Sequence, residues 1–309
     1  MEGQYITRLN LITGIINFIH FSRLHTIIGT FAATTTIFLV IVSGINNITY
    51  ANSLHYVIFL FGAVSINIFV VGINQIYDVE IDRINKPHLP LAKGDFSIKT
   101  GWIISILGLF LGLFISMTNI ILFSAAITMI VIGIIYSVPP FRLRNNFLLA
   151  SLLIILGRGL LLNLSAYFYF NSEINGSYKV NDEIFYILTF ILFFTVVISL
   201  FKDIPDKAGD SIFQVRTLVT IIDKSQVYNI CISLLLINYL TAIFFQLFIL
   251  DLFHEMIFLT YHIFIIFLLG LSLKFKYRII NSLYFVRLYY KYIWVLLYLE
   301  YLTIAFLSS

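Results

Sequence analysis

The sequence predicts an all-α, polytopic membrane protein with nine transmembrane helices in a single domain over residues 1–309. Three observations carry this. Of the 309 residues, 60% are hydrophobic and only 11% charged, where an ordinary soluble domain is about 45–50% apolar and about 25% charged. Apolar stretches near the ~20 residues needed to cross a bilayer recur along the chain. The Lys and Arg residues sort to one set of loops. So little charge cannot cover a globular surface, which excludes a soluble enzyme, a disordered chain and a nucleic-acid-binding domain. The net charge of +4 then reports topology and contact with anionic headgroups.

The elements follow in order. Residues 5–21 read as an amphipathic lead-in lying at the interface. Nine spans are expected at 24–45, 56–77, 101–118, 120–137, 147–170, 184–202, 226–250, 256–274 and 289–307, with Asn119 leaving a tight turn between the third and fourth. No linker or low-complexity tract divides the chain, and the polar, mixed residues 1–10 are not expected to form a cleavable leader. Cys231, the only cysteine, reads as a core residue.

Of the nineteen Lys and Arg, seventeen gather on one side, in its loops or at the span ends that meet them, Lys179 alone falls on the opposite side, and Arg158 lies within the fifth span. The positive-inside rule places the N-terminus and the even-numbered loops on the cytoplasmic or stromal side.

Two acid-rich segments follow apolar spans on that basic side. Asn74, Asp78 and Asp82 are spaced four apart, which on one helix aligns them on one face. Asp206 and Asp210 repeat the spacing, with Asp203 a turn earlier. Pro205 and Gly209 predict a distorted helix end. Carboxylates crowded at a membrane edge repel one another. Mg²⁺ takes oxygen ligands and keeps phosphate oxygens in its shell, so two such ladders suit a pair of Mg²⁺ ions with a diphosphate between them. A cation-coupled transporter is the rival, because intramembrane acids also mark ion paths.

Cations on the same side complete a diphosphate pocket: Arg23, Lys86, Lys202, and Arg142 with Arg144 in the segment Tyr136–Arg144. Lys86 and Arg144 fit a topogenic role equally well. Arg158, inside the fifth span and flanked by glycines, needs an anionic partner and is expected to face the cavity, with Asn163 close by.

These residues resemble the UbiA superfamily of intramembrane prenyltransferases. Asn74-x-x-x-Asp78-x-x-x-Asp82 matches its first motif and Asp206-x-x-x-Asp210 its second. Within it, Phe21–Thr30, Asn74–Ser97 (NQIYDVEIDRINKPHLPLAKGDFS), Tyr136–Arg142, Arg158–Asn163, Phe201–Asp210, Tyr292–Trp294 and Leu299–Tyr301 resemble homogentisate prenyltransferases, with Leu24 where these usually have Pro.

The resemblance implies nine helices around a central cavity in a cyanobacterial or plastid membrane. It implies transfer of the phytyl group of phytyl diphosphate to homogentisate with loss of CO₂, giving 2-methyl-6-phytylbenzoquinol for tocopherol. Asp78, Asp82, Asp206 and Asp210 would bind two Mg²⁺, with Asn74 a ligand or an orienting group and Asp203 a ligand or the partner of Lys202. Arg23, Lys86, Arg142 and Lys202 would hold the diphosphate. Tyr77 and Tyr136 would line the path of the allylic cation, and His25 would meet the acceptor carboxylate. Other donors and acceptors are alternatives: solanesyl diphosphate, 4-hydroxybenzoate, a chlorophyllide.

Overall fold

A computed structural model describes residues 2–180, 182–248 and 255–307. These residues are helical, with no strand among them. The elements are α1 (Glu2–Phe21), α2 (Leu24–Val42), α3 (Tyr50–Tyr77), α4 (Val79–Asn85), α5 (Pro90–Lys93), α6 (Ile98–Ser116), α7 (Ile120–Ser137), α8 (Phe147–Ile154) and α9 (Leu162–Asn175). They continue with α10 (Asp182–Phe201), α11 (Asp203–Ile212), α12 (Leu218–Ile221), α13 (Lys224–Phe248), α14 (Glu255–Lys274), α15 (Lys276–Asn281) and α16 (Leu283–Leu307).

Among the described residues, eight segments are long and apolar enough to span a membrane. They coincide with the first eight expected, α8 and α9 forming one segment, Phe147–Asn175. The expected ninth segment is also a helix, α16. It is not among the eight, since its Arg287, Lys291, Glu300 and many tyrosines dilute its apolar character. The end of the expected seventh span, 249–250, lies outside the described residues. In α1, the residues 12–16, 18 and 20 are exposed, polar and apolar alike, Ile19 is half-buried and Asn17 is buried.

Small residues bring the helices together. On α6 the buried face consists of Gly101, Ser105, Gly108, Gly112 and Ser116, while Leu107, Phe110 and Phe114 face outward. A Cβ at Gly108 would meet the Ser65 carbonyl at 2.8 Å and one at Gly112 the Ile66 Cδ1 at 2.5 Å. Close backbone approach is how helices associate without a hydrophobic driving force in lipid. The larger core joins α2, α9, α10, α13, α14 and α16 and includes Cys231. Within it Glu300 is buried but paired: Tyr186 Oη donates to its Oε1 at 3.0 Å, and His262 Nε2 lies 3.2 Å away.

Two local readings need correction. The first acid ladder does not lie on one continuous helix. α3 ends at Tyr77, Asp78 has φ −110° and ψ 9°, and α4 starts at Val79. The Asp82 N–H still donates to the Asp78 carbonyl at 2.8 Å, so the two acids stay one turn apart across the break. Gly209 does not end a helix either. α11 runs on to Ile212, Pro205 is accommodated in its first turn, and Gly209 is a contact point with α4.

Candidate diphosphate and metal site

The helix ends after α3, α7 and α10 converge at one end of the bundle, bringing both acid segments together with the cations of α2 and α16. Asp78, Asp82, Asp203 and Asp210 are all buried. Asp78 accepts from Asn74 Nδ2 at 2.7 Å and from Arg142 Nη2 at 3.3 Å, and is paired with Arg144. Arg142 Nη2 also donates to the Tyr77 carbonyl at 3.1 Å. Arg23 Nη2 donates to Asn74 Oδ1 at 2.9 Å and lies 3.8 Å from Asp82 Oδ2. Both Arg23 (φ 50°) and Arg142 (φ 38°) adopt left-handed backbone, uncommon for residues other than glycine and a frequent mark of functional sites.

Lys86 joins the two motifs. Its Nζ donates to Asp206 Oδ2 at 2.6 Å and to Asp82 Oδ1 at 3.4 Å. Burial opposes its charge, but Asp206 and Asp82 outweigh burial and hold the ammonium above its usual range. Lys202 Nζ donates to Asp203 Oδ1 at 2.5 Å, the partnership that was one of two options for Asp203.

Three further residues complete the frame, of which Asn85 and Arg287 lie outside the expected set. Arg144 lies between the motifs, on Asp78 and 4.0 Å from Asp210 Oδ1. Asn85 accepts from the Gly209 N–H at 2.9 Å, and its Nδ2 lies 3.4 Å from Asp210 Oδ1. Arg287 of α16 donates to the Asn85 carbonyl at 2.7 Å. The sequence marks Arg144 only as one of a loop pair, Asn85 only as part of the NKP segment, and Arg287 only as one more basic-side charge.

The other candidates fall differently. The Tyr77 ring packs edge-on against Trp102 of α6, centroids 6.2 Å apart, so the backbone carbonyl of this residue, and not its ring, reaches the site. Tyr136 is half-buried at the end of α7. Asn163 is fully buried, with its amide bonded to the protein. Its Nδ2 donates to the carbonyls of Arg158 at 3.1 Å and Gly159 at 2.9 Å, and its Oδ1 accepts from Tyr301 at 3.0 Å. It satisfies carbonyls freed by the widened π turn Ile155–Leu161. His25 stands edge-on to Trp294 at 5.1 Å.

Among the described residues no three Asp, Glu, His or Cys side chains form a ready-made metal shell. The donor set nevertheless suits a hard cation, because Mg²⁺ commonly takes one or two carboxylates and completes its shell with phosphate and water. Asp82 Oδ2 is buried without a hydrogen-bond partner. Burial and the nearby charges of Asp206 and Asp203 push the Asp210 carboxyl up to about 7, against the pull of Lys202 and Arg144.

That carboxyl carries a prediction. A metal must displace its proton, so Mg²⁺ affinity should rise as pH passes upward through about 7, with proton release measurable by calorimetry in two buffers. Asp210→Asn should flatten the dependence. The stability term has the opposite sign. A carboxyl raised in the folded chain keeps a proton that the unfolded chain loses near 4, so without metal its contribution falls as pH rises from about 4 to about 7.

The chain is similar to known proteins in sequence and in fold. Residues 23–296 match the UbiA prenyltransferase family. The chain is 38% identical to homogentisate phytyltransferase of Synechocystis over 228 residues, 69% of this chain and 70% of that one. It is 34% identical to probable homogentisate phytyltransferase 2, chloroplastic, of Oryza sativa subsp. japonica over 294 residues, 91% and 75% of the two chains. It is 32% identical to homogentisate solanesyltransferase, chloroplastic, of Arabidopsis thaliana over 297 residues, 93% and 75%. The fold is similar to that of digeranylgeranylglyceryl phosphate synthase (TM-score 0.61, 20% identity, 94% of this chain and 98% of that one). It is also similar to a UbiA homolog from Archaeoglobus fulgidus bound to GPP and Mg²⁺ (TM-score 0.59, 17% identity, 94% and 99%).

Proposed function

The chain belongs to the UbiA prenyltransferase family, and from that premise we propose that it transfers a phytyl group from phytyl diphosphate to homogentisate. The family assignment makes the chain an integral-membrane prenyltransferase and sets aside the transporter alternative. The observation that carries the site assignment is the interleaving of the two acid motifs with Arg23, Lys86, Arg142 and Arg144 at one end of the bundle. That end collects the basic loops, which supports a site on the cytoplasmic or stromal side.

Asp78, Asp82, Asp206 and Asp210 would hold two Mg²⁺ ions, with Asn74 and Asp203 beside them. Bound Mg²⁺ would neutralise the diphosphate as its C–O bond breaks. Lys86, Arg142, Arg144 and Arg23 bind diphosphate oxygens, the arginines through their planar donor forks. Lys202, paired with Asp203, adds positive charge beside them. The ring of homogentisate forms a C–C bond to C1 of the prenyl group. Diphosphate leaves, the carboxyl is lost as CO₂, and the displaced ring proton is balanced by one taken up at the new methyl carbon. The helical walls keep water from the allylic cation, and Tyr136 offers it a ring face.

The named relatives act on homogentisate but differ in prenyl group: phytyl in two of them and solanesyl in the third. The deciding experiment offers labelled homogentisate with phytyl or solanesyl diphosphate to membranes containing the chain, with and without Mg²⁺. The expected result is phytyl product only when Mg²⁺ is present. Solanesyl product alone would reassign the donor and leave the acceptor in place. Product formation unaffected by metal chelation would overturn the role given to the acids.

A further inference from the structure

Arg158 lies in the middle of the segment Phe147–Asn175. The π turn Ile155–Leu161 carries it between two buried glycines. A Cβ at Gly157 would meet Met129 Sδ at 3.1 Å and one at Gly159 would meet Thr195 Oγ1 at 3.3 Å, so the glycines let this turn approach α7 and α10 closely. Its guanidinium carbon lies 4.9 Å from the centroid of the Trp294 ring, and Trp294 in turn contacts His25.

The cations of the diphosphate pocket each have a carboxylate: Arg23 has Asp82, Lys86 has Asp82 and Asp206, and Arg142 and Arg144 have Asp78. Among the described residues the Arg158 guanidinium has no carboxylate within 4.0 Å and no hydrogen bond. It borders a cavity whose other polar wall groups are Thr30, Asn67, Ser116 and Ser165. A guanidinium inside a membrane protein without a counter-ion is costly. The Trp294 face compensates part of its charge and leaves the donors in the guanidinium plane unused.

We propose that Arg158 receives the carboxylate of the aromatic acid acceptor, with the indole of Trp294 fixing the guanidinium plane. The proposal rests on the reading above that the acceptor is an aromatic acid. A planar carboxylate matches the guanidinium fork in shape and charge. The cations assigned to the diphosphate are each paired with a carboxylate of the acid motifs, whereas Arg158 is paired with none of them. The assignment replaces His25 as the carboxylate contact and makes Arg158 the residue that selects an acid over a neutral quinol.

The test measures KM for homogentisate and for methylhydroquinone, which has a methyl group in place of the carboxymethyl, in the full-length wild type, R158Q and R158K. Direct binding of both compounds is followed by calorimetry, and folding by thermal melts. R158Q should raise the ratio of the homogentisate KM to the methylhydroquinone KM by at least about tenfold, as for loss of a charge-assisted hydrogen bond. The KM for prenyl diphosphate should shift less than about twofold, with R158K intermediate. Parallel weakening of both acceptors, or a raised KM for prenyl diphosphate, would overturn the assignment. Should R158Q not fold, R158K with its charge but no fork decides, and an unchanged ratio there also overturns it. Wild-type chain that binds homogentisate in an Arg158-dependent way without turning it over would remove the function proposed above and keep this site. Turnover with an unchanged ratio would do the reverse, and absence of both binding and turnover would remove both.

Discussion

Asp78→Asn should lower prenyl transfer by about 10²–10³-fold, the scale seen when one preorganised electrostatic group is removed from an active site. The substitution is nearly isosteric, so the loss isolates the charge. Asp78 is 2% exposed and accepts from Asn74 and Arg142 while pairing with Arg144. With its charge gone, two guanidinium groups lose their shared anion and the first motif loses the acid next to the second. Asp78→Ala should add a folding defect of about 3–5 kcal/mol, the usual consequence of removing one partner of a buried pair. The measurements are product formation across an Mg²⁺ titration for Asp78→Asn, and thermal melts for both variants. More than a tenth of wild-type activity in Asp78→Asn would show that Asp78 is not part of the metal and diphosphate machinery.

The second large effect is expected where the motifs touch. A Cβ at Gly209 would lie 2.7 Å from both amide atoms of Asn85, so Gly209→Ala forces α11 away from α4 or breaks the Asn85 bonds. Overpacking of this kind costs about 1–3 kcal/mol, and the displaced Asp206 and Asp210 should reduce transfer by about tenfold or more. Asn85→Ala orphans the buried Gly209 N–H, a loss of about 1–3 kcal/mol. The double variant Asn85→Ala/Gly209→Ala should be no worse than the poorer single variant, because the smaller side chain makes room for the new methyl group. Strict additivity of the two losses, in melts and in transfer assays, would contradict a direct contact.

Much of this site is legible in the sequence because its chemistry is local. Asp78 and Asp82 sit four apart directly after an apolar stretch, and Asp206 and Asp210 repeat the pattern. Arg142 and Lys86 stand in the loops that follow two spans on the basic side. Asn163 shows where such reading fails. A polar residue in an apolar span has the same local sequence whether it faces a substrate or its own backbone. Only the π turn, which frees the carbonyls of Arg158 and Gly159, explains why it faces inward to them. Tyr77 fails similarly, because its ring direction depends on Trp102 in the next span.

The sequence by itself determined the membrane class, the positions of eight apolar spans, the two acid motifs and the side on which the cations gather. Each follows from hydropathy, spacing or charge within one short window. The tertiary structure alone decided the pairings: Lys86 with Asp206, Arg144 between Asp78 and Asp210, Asn85 on Gly209, Arg287 on Asn85, and Arg158 beside Trp294 with no anion. These partners lie tens to hundreds of residues apart. Which of several similar cations meets which acid depends on how closely the helices approach, and glycines and serines buried between helices set that distance.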